Sequence, residues 1–472
     1  MSAEREHFSS KLGFILAAAG SAVGIGNMVG FPVAATKNGG GAFLIIYAIF
    51  VAFICLPIML AEMGLGRKTQ LDPHGAYGAI AGSKSPWRFA GWLAVLTPFM
   101  IGVFYMVITV WILGYFLQTV SGNLDALADP EYFGTFINDY SVFLYLIVVA
   151  AIVHFILVGG VRGGIEKAAR LLMPSLFVML VVLVIFVLTL DNAFAGVEFY
   201  LVPDFSKING SVISGALSQA FFSLSLGMGI LITYGSYFRQ RDDLVGSAKL
   251  VAITDSIVAF VAGLMILPAI FVFDPNTNPQ ELSDSSVAMI FTFLPQIFLA
   301  MQETLGYLGA SIVAALFFLL VFFAAITSLV SIIEVPTATI VRKYNVSRKR
   351  ALAVLAMTMG SLTLIAMVSF GMVAFLTELV TYGGGPRSFF DLIYDVFYDT
   401  VLPLNGLLIC LFVVWGWKRN NFHEALAEGN QRYATSLLRR YISFSITTFI
   451  PVVLAIVFIN TVLGIFFDAA LF

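Results

Sequence analysis

Long apolar runs alternate with short polar connections along all 472 residues of the chain. A helix needs about 20 apolar residues to cross a bilayer, and eleven of the runs are about that long. The pattern therefore predicts an all-α integral membrane protein with eleven transmembrane helices, which we call spans 1 to 11. Their predicted limits are 12–35, 41–66, 88–120, 141–159, 166–190, 212–238, 245–273, 305–341, 349–375, 391–417 and 441–467.

Two of these runs are interrupted by small and polar residues at a depth where a helix would otherwise continue. Span 1 contains GSAVGIGNMVGFP between Gly20 and Pro32, and span 6 contains FFSLSLGMGILITYGSY. Where a helix unwinds, its free N–H groups attract an anion and its free carbonyl groups attract a cation. The other interpretation is that these glycines only let neighbouring helices pack closely.

The two interrupted spans occupy equivalent places if the chain contains two repeats of five spans. The repeats would cover about residues 12–190 and 212–417, with an extra helix at about 441–467. Repeats with an odd number of spans are inverted relative to each other, and paired interrupted helices are typical of a transporter substrate site. The short connections lack Pro-rich, Ser-rich and low-complexity runs, so residues 1–472 are predicted to form a single transmembrane domain.

Two hydroxyls and one carboxylate lie within the apolar runs of spans 8 and 7. Thr327 and Ser328 are adjacent in FFAAITSLVSIIE, and either hydroxyl alone would be expected to bond only to a carbonyl of its own helix. Asp255, in LVAITDSIVAF, lies in mid-span, where a carboxylate costs several kcal/mol unless it faces a partner or a cavity. We therefore expect a cation next to Asp255.

The composition supports a membrane protein, because 60% of the residues are hydrophobic and only 11% are charged. If the N-terminus is cytoplasmic, only Lys37, Lys207 and Arg387 of the 25 Lys and Arg residues lie outside. The positive-inside rule therefore predicts a cytoplasmic N-terminus and, after eleven spans, an extracytoplasmic C-terminus. Cys55 and Cys410 both lie in apolar runs, which indicates neither a disulfide framework nor a metal cluster.

Sequence signatures of enzymes are incomplete in this chain. The HEAL stretch at His423 has Ala427 where a zinc HExxH motif has its second histidine, and Asp395 and Asp399 lack a GxGD partner motif. GIGNMVG has the wrong glycine spacing for dinucleotide binding, and no GxxxxGK[ST] is present. We therefore expect a protein that is not an enzyme and that has no nucleic-acid partner.

The chain resembles the neurotransmitter:sodium symporter family, and in particular its bacterial amino-acid transporters. The resemblance is carried by GSAVGIGN followed by FP, NGGGAF at 38–43, an acid and Gly-x-Gly-Arg at 62–67, FFSLSLGMG, ITYGSY and FFAAITS. It implies a LeuT-type five-plus-five inverted repeat with broken helices 1 and 6. It also implies a sodium-coupled secondary active symporter that imports an amino acid by alternating access. Such a protein would reside in the lipid of a bacterial inner membrane, as a monomer or homodimer.

The resemblance implies two sodium sites at the breaks. The first would use Ala22, Asn27, Ser223 and Asp255, with the substrate carboxylate as a further ligand. The second would connect span 1 to span 8 and would use Gly20, Val23, Ala324, Thr327 and Ser328.

The resemblance also bears on chloride, which in some relatives lies beside the first sodium and balances the cations. The matching residues here are Tyr47, Gln219 and Ser223, but Ala259 replaces the serine of that site. Because Asp255 supplies a negative charge directly, we expect no chloride requirement.

The substrate would lie between the breaks of spans 1 and 6. Its carboxylate would meet the N–H groups of Ile25 and Gly26 and the Tyr105 hydroxyl, and its ammonium would meet carbonyls of spans 1 and 6. The predicted substrate-binding residues are Ser21, Ala22, Gly24, Ile25, Gly26, Ile101, Tyr105, Phe222, Ser223, Ser225, Met228, Gly229, Ser328 and Ile332. Relatives that carry decarboxylated amines tend to have Asp at the position of Gly24. Glycine there favours a substrate that keeps its carboxylate. The predicted lining includes Ile101, Phe222, Met228 and Ile332 and no charged side chain, so we expect a neutral, hydrophobic or aromatic amino acid.

Two ion pairs that gate relatives differ in this chain. The outer pair would join the position of Gly30, an arginine in most relatives, to Asp391, and the inner pair would join Arg5 to the position of Arg342. Arg387 and Glu334 are candidate substitutes. The missing pairs leave two alternatives to symport open, which are a substrate-gated channel or leak and a non-transporting amino-acid sensor.

Span 5 contains Gly164 and Pro174 near its predicted cytoplasmic end. Proline removes one helix hydrogen bond and clashes with the preceding turn. Unwinding at this end would wet the second sodium site from inside, whereas the alternative is a static kink.

Overall fold

The computed structural model describes residues 6–273, 287 and 289–469. Its helices coincide with the apolar runs of the sequence. Within the described ranges nine helices are long and apolar enough to cross a membrane. They are Gly41–Thr69, Arg88–Val120, Ser141–Val158, Val161–Leu188, Leu244–Val272, Gln302–Tyr344, Arg348–Val368, Phe389–Trp417 and Leu437–Phe467. Lys11–Ala22 and Gly26–Lys37 meet at 55° and make a tenth span when they are counted together. The chain is therefore a multi-pass helical membrane protein.

Span 6 is divided into two helices, Gly210–Ser223 and Ile230–Ser236, with residues 224–229 between them. Neither helix is long enough to cross a bilayer alone. Their position between spans 5 and 7 makes the described part of the chain compatible with the predicted count of eleven. Span 11 is also interrupted at Thr448, which has non-helical backbone angles between Leu437–Thr447 and Phe449–Phe467.

Span 9 ends earlier than the apolar pattern predicts. The pattern continues to residue 375, but the helix Arg348–Val368 ends where the Ser369 hydroxyl donates to the carbonyl of Ala366 at 2.8 Å. Gly371 then adopts a φ of 110°, a conformation that L side chains rarely take. A terminating hydrogen bond and a left-handed residue thus override the apolar pattern here.

The connection between spans 9 and 10 contains an antiparallel hairpin that the hydrophobic pattern did not predict. Its strands are Val380–Tyr382 and Gly385–Arg387, with Val380 opposite Arg387. Gly383 and Gly384 both have positive φ, as a tight two-residue hairpin turn requires.

Short helices occupy most of the other connections in the described ranges. They are Pro73–Ala81, Leu124–Leu127, Tyr132–Ile137, Ala193–Leu201, Phe205–Lys207, Met289–Phe293, Leu294–Ala300, Ala374–Thr377, Arg419–Ala427 and Gln431–Ala434.

Spans 3 and 8 form the centre of the bundle and pack against each other along their length. In their apolar cores 78% and 83% of the residues are buried, compared with 22% in span 4 and 17% in span 11. The first half of span 1 packs against spans 7 and 8. The first half of span 1 is therefore held against the most buried of these nine helices.

The Gly-x-Gly-Arg motif of span 2 allows direct backbone contact with the second half of span 6. A Cβ built at Gly66 would lie 1.8 Å from the carbonyl oxygen of Ile232, and one at Gly235 would lie 2.4 Å from that of Met63. Arg67 is buried and donates to the carbonyls of Asp242 and Glu428, both at 3.0 Å. The motif thus anchors span 6 against span 2 on one side of the break.

Candidate substrate and ion sites

The break in span 1 exposes backbone groups that side chains of other spans contact. The carbonyl of Ser21 accepts hydrogen bonds from the hydroxyls of Ser225 and Ser328, each at 3.1 Å. The N–H of Ile25 donates to the Tyr105 hydroxyl at 3.2 Å. Spans 1, 3, 6 and 8 therefore meet at one point, where the helix Lys11–Ala22 ends.

The break in span 6 is held open by a left-handed backbone and by two polar side chains from other spans. Ser225, Gly227 and Gly229 have φ values of 53°, 76° and 65°. Glu62 accepts from the N–H of Gly227 at 2.9 Å, and Asn405 donates to its carbonyl at 2.8 Å. Neither Glu62 nor Asn405 was predicted as a site residue. Their signal in the sequence is a polar side chain inside an apolar run.

Three of the residues predicted for the first sodium site form a buried hydrogen-bonded cluster. The Asn27 amide donates to Asp255 Oδ1 at 2.7 Å, and the Ser223 hydroxyl donates to Asp255 Oδ2 at 2.8 Å. Tyr47 donates to Ser223 at 3.3 Å. Ala22, the fourth predicted ligand, lines a small cavity between the breaks of spans 1 and 6, as Ser223 does. The carboxylate, hydroxyl and carbonyl oxygens suit a hard cation such as sodium. The amide oxygen of Asn27, in contrast, accepts from the N–H of Gly24 at 3.0 Å.

The residues predicted for the second sodium site lie where span 8 contacts span 1. Ser328 also donates to the carbonyl of Val23 at 3.4 Å. Thr327 donates to the carbonyl of Ala324 at 3.0 Å, the bond within its own helix that a lone hydroxyl was expected to make. A Cβ built at Gly20 would lie 3.6 Å from Thr327 Cβ. The structure therefore brings all five predicted residues to one contact between the two spans.

A central cavity of about 10 Å³ lies between the two breaks. The predicted substrate-binding residues that line it are Ser21, Ala22, Gly24, Gly26, Tyr105, Phe222, Ser223, Ser225, Met228, Ser328 and Ile332. Ile25 reaches the site through its bond to Tyr105. Ile101 and Gly229 do not line the cavity. Ile101 lies one turn before Tyr105, and a Cβ at Gly229 would face the Ala94 carbonyl at 2.4 Å.

A larger vestibule of about 320 Å³ adjoins this cavity, and Tyr105 and Phe222 line both. The Phe222 ring stands edge to face with Tyr398 at a centroid distance of 4.5 Å, and Tyr398 stacks on Tyr394 at 4.6 Å. A Cβ at Gly26 would lie 2.7 Å from the Phe222 ring. Glycine at position 26 therefore lets Phe222 lie over the break as a partition. No role was predicted for Tyr394 or Tyr398, because aromatic residues are common in apolar runs.

The vestibule also contains the positions of the outer pair that was predicted to be missing. The Gln219 amide lies 3.3 Å from a Cβ built at Gly30 and donates to the carbonyl of Gly26 at 2.8 Å. Asp391 accepts from the backbone and hydroxyl of Ser388 at 3.0 and 2.8 Å, and so caps a helix. Arg387, a candidate substitute, lies 5.6 Å from the Tyr382 ring centroid in the hairpin.

At the opposite end of the bundle, Arg342 forms an ion pair with the buried carboxylate of Asp72. Thr339 donates to the same carboxylate at 3.2 Å. Glu334, the candidate inner substitute, instead pairs with Arg348 and accepts from Tyr237 at 2.7 Å. Arg5 lies outside the described residues. The basic residue at position 342 is therefore matched by an acid in the connection between spans 2 and 3, which the sequence alone did not indicate.

His74 lies beside this ion pair, in the connecting helix Pro73–Ala81. Burial lowers the pKa of His74, and the nearby cations Arg88 and Arg342 lower it further against the opposing charge of Asp72. The lowered pKa favours the neutral ring, which packs on Trp92 at a centroid distance of 4.4 Å.

Arg342→Gln is expected to destabilise the protein by about 3 kcal/mol, because it leaves the Asp72 carboxylate buried without its cation. Asp72→Asn/Arg342→Gln should be less destabilised than Arg342→Gln alone, since Asn still caps the helix and carries no charge. Chemical or thermal unfolding of the three proteins in detergent measures the effect. Lys68→Gln is the control, because the Lys68–Glu428 pair is 43% and 38% exposed and should contribute under about 1 kcal/mol. An equal loss in Arg342→Gln and Lys68→Gln would contradict the assignment.

Span 5 contacts the predicted second sodium site through the residue before its proline. The helix Lys167–Leu188 contains Pro174 and follows a short π-helical segment at Val161–Glu166. The Met173 side chain lies 3.2 Å from a Cβ built at Gly20. A change in the backbone at Pro174 would therefore be transmitted directly to span 1.

Pro174→Ala is expected to slow sodium release and turnover about ten-fold while substrate binding changes little, because it restores a helix hydrogen bond in a span that is predicted to unwind. Stopped-flow measurement of sodium release and equilibrium substrate binding separate the two effects. Unchanged turnover would favour a static kink.

The chain matches the profile of the sodium:neurotransmitter symporter family over residues 5–128 and 134–467. It is 34% identical over 468 residues to the sodium-dependent transporter YhdH of Bacillus subtilis, covering 96% of this chain and 97% of YhdH. It is 30% identical over 474 residues to a sodium-dependent transporter of Haemophilus influenzae, with 97% and 98% covered.

A solved structure of MhsT in complex with L-phenylalanine superimposes with a TM-score of 0.81 and 36% identity. The alignment covers 97% of this chain and 99% of MhsT. The predicted family and LeuT-type fold are therefore confirmed over almost the whole chain. Together with the two sodium-dependent relatives, they identify the chain as a member of the sodium:neurotransmitter symporter family.

Proposed function

We propose that this protein imports a neutral amino acid with an apolar or aromatic side chain, together with two sodium ions and without chloride. The importing unit would be one transmembrane domain of two inverted repeats, with a cytoplasmic N-terminus in a bacterial inner membrane. The predicted site residues form its substrate and ion sites. The proposal rests on the environment of the break in span 1.

The observation that carries the proposal is the crowding at Gly24. A Cβ built there would lie 2.6 Å from Ser328 Oγ and 2.8 Å from the Tyr105 hydroxyl oxygen. An acidic side chain, which would bind an amine, would have to displace both hydroxyls from this position. The groups that remain are neutral donors, namely the Ile25 N–H and the Tyr105 hydroxyl. They favour a substrate that keeps its carboxylate.

Apolar side chains in the cavity lining favour an apolar substrate side chain. Phe222, Met228 and Ile332 line the cavity, and methionine repacks readily around ligands of different shape. Among the described residues that line this cavity none is charged. MhsT, which was solved with L-phenylalanine, supports a neutral aromatic substrate.

The ion clusters would couple sodium to substrate. Asp255, Asn27 and Ser223 lie beside the cavity, so a cation there would attract the substrate carboxylate, and each would raise the affinity of the other. A second cation between span 1 and Thr327 would hold the broken helix against span 8. Release of both cations would free span 1 to move, as alternating access requires.

Chloride independence follows from the same cluster. Asp255 places a carboxylate beside the first cation, and Ala259 offers no hydroxyl to an anion. The other matching donors already have partners, because Tyr47 donates to Ser223 and Gln219 donates to Gly26.

Uptake by purified protein in proteoliposomes tests the proposal. We expect an inward sodium gradient to concentrate phenylalanine or leucine, with phenethylamine, lysine and glutamate competing poorly. Replacing chloride by gluconate should leave the rate unchanged. Protein-free liposomes are the control.

Each part of the proposal has its own contradicting result. Strong inhibition by phenethylamine would show that no carboxylate is needed, and collapse of uptake in gluconate would show a chloride requirement. Equilibration without accumulation would favour a channel or leak, and binding without uptake would favour a sensor.

A further inference from the structure

A groove of about 990 Å³ opens on the outside of the bundle between spans 3, 8 and 9. Its walls are apolar and include Trp92, Leu96 and Phe99 on span 3 and Val354 on span 9. Leu96 and Val354 are 44% and 43% exposed. These exposed apolar side chains lie within membrane-spanning helices, so the groove faces lipid, and it is separate from the central cavity.

The mouth of the groove is basic. Lys343, near the end of span 8, and Arg350, near the start of span 9, both line it and are exposed. The Lys343 ammonium lies 3.9 Å from the centroid of the Trp92 ring. Among the described residues no carboxylate pairs with Lys343 or Arg350, whereas the nearby Arg342 and Arg348 both form ion pairs. Two charges without acidic partners therefore stand at the open end of an apolar groove.

The length of the groove corresponds to part of one bilayer leaflet. From Arg350 to Thr358, which lines its inner part, span 9 rises about 12 Å at about 1.5 Å per residue. The hydrocarbon core of a bilayer is about 30 Å thick, so one leaflet occupies about 15 Å. The cations at the membrane surface and the depth of the apolar groove together match the charge and length of one lipid molecule.

We propose that this groove binds an anionic glycerophospholipid of the leaflet on the Lys343 side, which the charge pattern predicts to be cytoplasmic. The phosphate group lies between Lys343 and Arg350, and an acyl chain follows Trp92, Leu96 and Phe99. Charge complementarity selects this occupant, because a zwitterionic lipid would leave the two positive charges unbalanced. A second copy of the chain would have to insert a ridge into the recess, and this occupant is an outcome of the test.

Quenching of tryptophan fluorescence by brominated acyl chains tests the proposal. The full-length protein is reconstituted in phosphatidylcholine vesicles that contain increasing fractions of brominated phosphatidylglycerol or brominated phosphatidylcholine. We expect brominated phosphatidylglycerol to quench Trp92 at a lower fraction than brominated phosphatidylcholine, and Trp92→Phe to remove this quenching component. Lys343→Gln and Arg350→Gln should each reduce the preference about five-fold, since each surface cation contributes about that factor to binding of anionic lipid.

The matched control is Lys349→Gln/Arg440→Gln, which removes the same charge from exposed residues that do not line the groove. It should keep the preference of the unmodified protein. Equal quenching by the two lipids, or a loss of preference in this control as large as in the double variant Lys343→Gln/Arg350→Gln, would overturn the proposal. So would loss of the preference when inorganic phosphate is added, which indicates a site for soluble anions. Quenching that appears only at a low protein-to-lipid ratio would instead assign the groove to contact between two copies of the protein.

Discussion

Asp255→Asn is expected to lower the sodium affinity of transport by at least about thirty-fold, and so to abolish uptake at ordinary sodium concentrations. Both carboxylate oxygens of Asp255 accept hydrogen bonds, one from Asn27 and one from Ser223. Asparagine can still accept from Asn27 and can donate to the Ser223 hydroxyl. The substitution therefore removes the charge while the cluster keeps its hydrogen bonds.

The size of the effect follows from burial. Asp255, Asn27 and Ser223 have no exposed surface, so water cannot replace the lost charge. Removing one partner of a buried charge pair costs about 2–5 kcal/mol, and the lower value corresponds to about thirty-fold in affinity. Sodium-dependent uptake in proteoliposomes and sodium titration of substrate binding both measure the change.

Asp255→Asn/Ala259→Ser should regain sodium-driven uptake only when chloride is present. Ala259 lies four residues from Asp255 in span 7, on the same face of the helix, so a serine there would offer a hydroxyl to an anion near the lost carboxylate. Ala259→Ser alone is the control and should transport with or without chloride. Full sodium-driven uptake by Asp255→Asn in gluconate would contradict the role of Asp255 as the internal anion.

The helical architecture was predictable from the sequence because each apolar run indicates a transmembrane helix by itself. A run of about 20 apolar residues in a membrane almost always forms a helix. The glycines of spans 1 and 6 indicate where those two helices are interrupted. The misplaced end of span 9 has a different cause. There the decisive groups are the Ser369 hydroxyl and the left-handed Gly371, which lie inside a run that remains apolar.

Most of the predicted cavity residues could also be identified from local motifs, because the sequences at the two breaks contain the glycines and hydroxyls of the site. Contacts between distant segments were not predictable in the same way. Glu62 and Asn405 meet at Gly227 only because spans 2 and 10 both pack against the break in span 6. Likewise, Asp72 and Arg342 are 270 residues apart, and nothing local in either segment specifies its partner. Such pairings depend on tertiary packing, which one sequence does not encode as a pattern.

Gly24→Ala is expected to weaken substrate binding about five-fold to 150-fold, because an added methyl group overpacks the break by about 1–3 kcal/mol. Its Cβ would lie 2.6 Å from Ser328 Oγ and 2.8 Å from the Tyr105 hydroxyl oxygen. Moving Ser328 would break its bonds to span 1, so sodium binding at the second site should weaken as well. Equilibrium binding of labelled phenylalanine at several sodium concentrations measures both effects. Gly360→Ala is the control, because a Cβ there meets no atom within 4 Å.

Tyr105→Phe separates the steric part of this effect from the hydrogen bond. The variant keeps the ring and deletes only the hydroxyl, which accepts from the Ile25 N–H at 3.2 Å and is predicted to donate to the substrate carboxylate. A hydrogen bond to a charged group contributes about 1.5–3 kcal/mol, so binding of phenylalanine should weaken at least about ten-fold. Binding of phenethylamine, which has no carboxylate, should not weaken further in Tyr105→Phe. Gly24→Ala should instead impair any ligand that occupies the break, because its effect is on space. If Tyr105→Phe weakened both ligands equally, the hydroxyl would be a packing group, and the orientation proposed for the substrate carboxylate would be wrong.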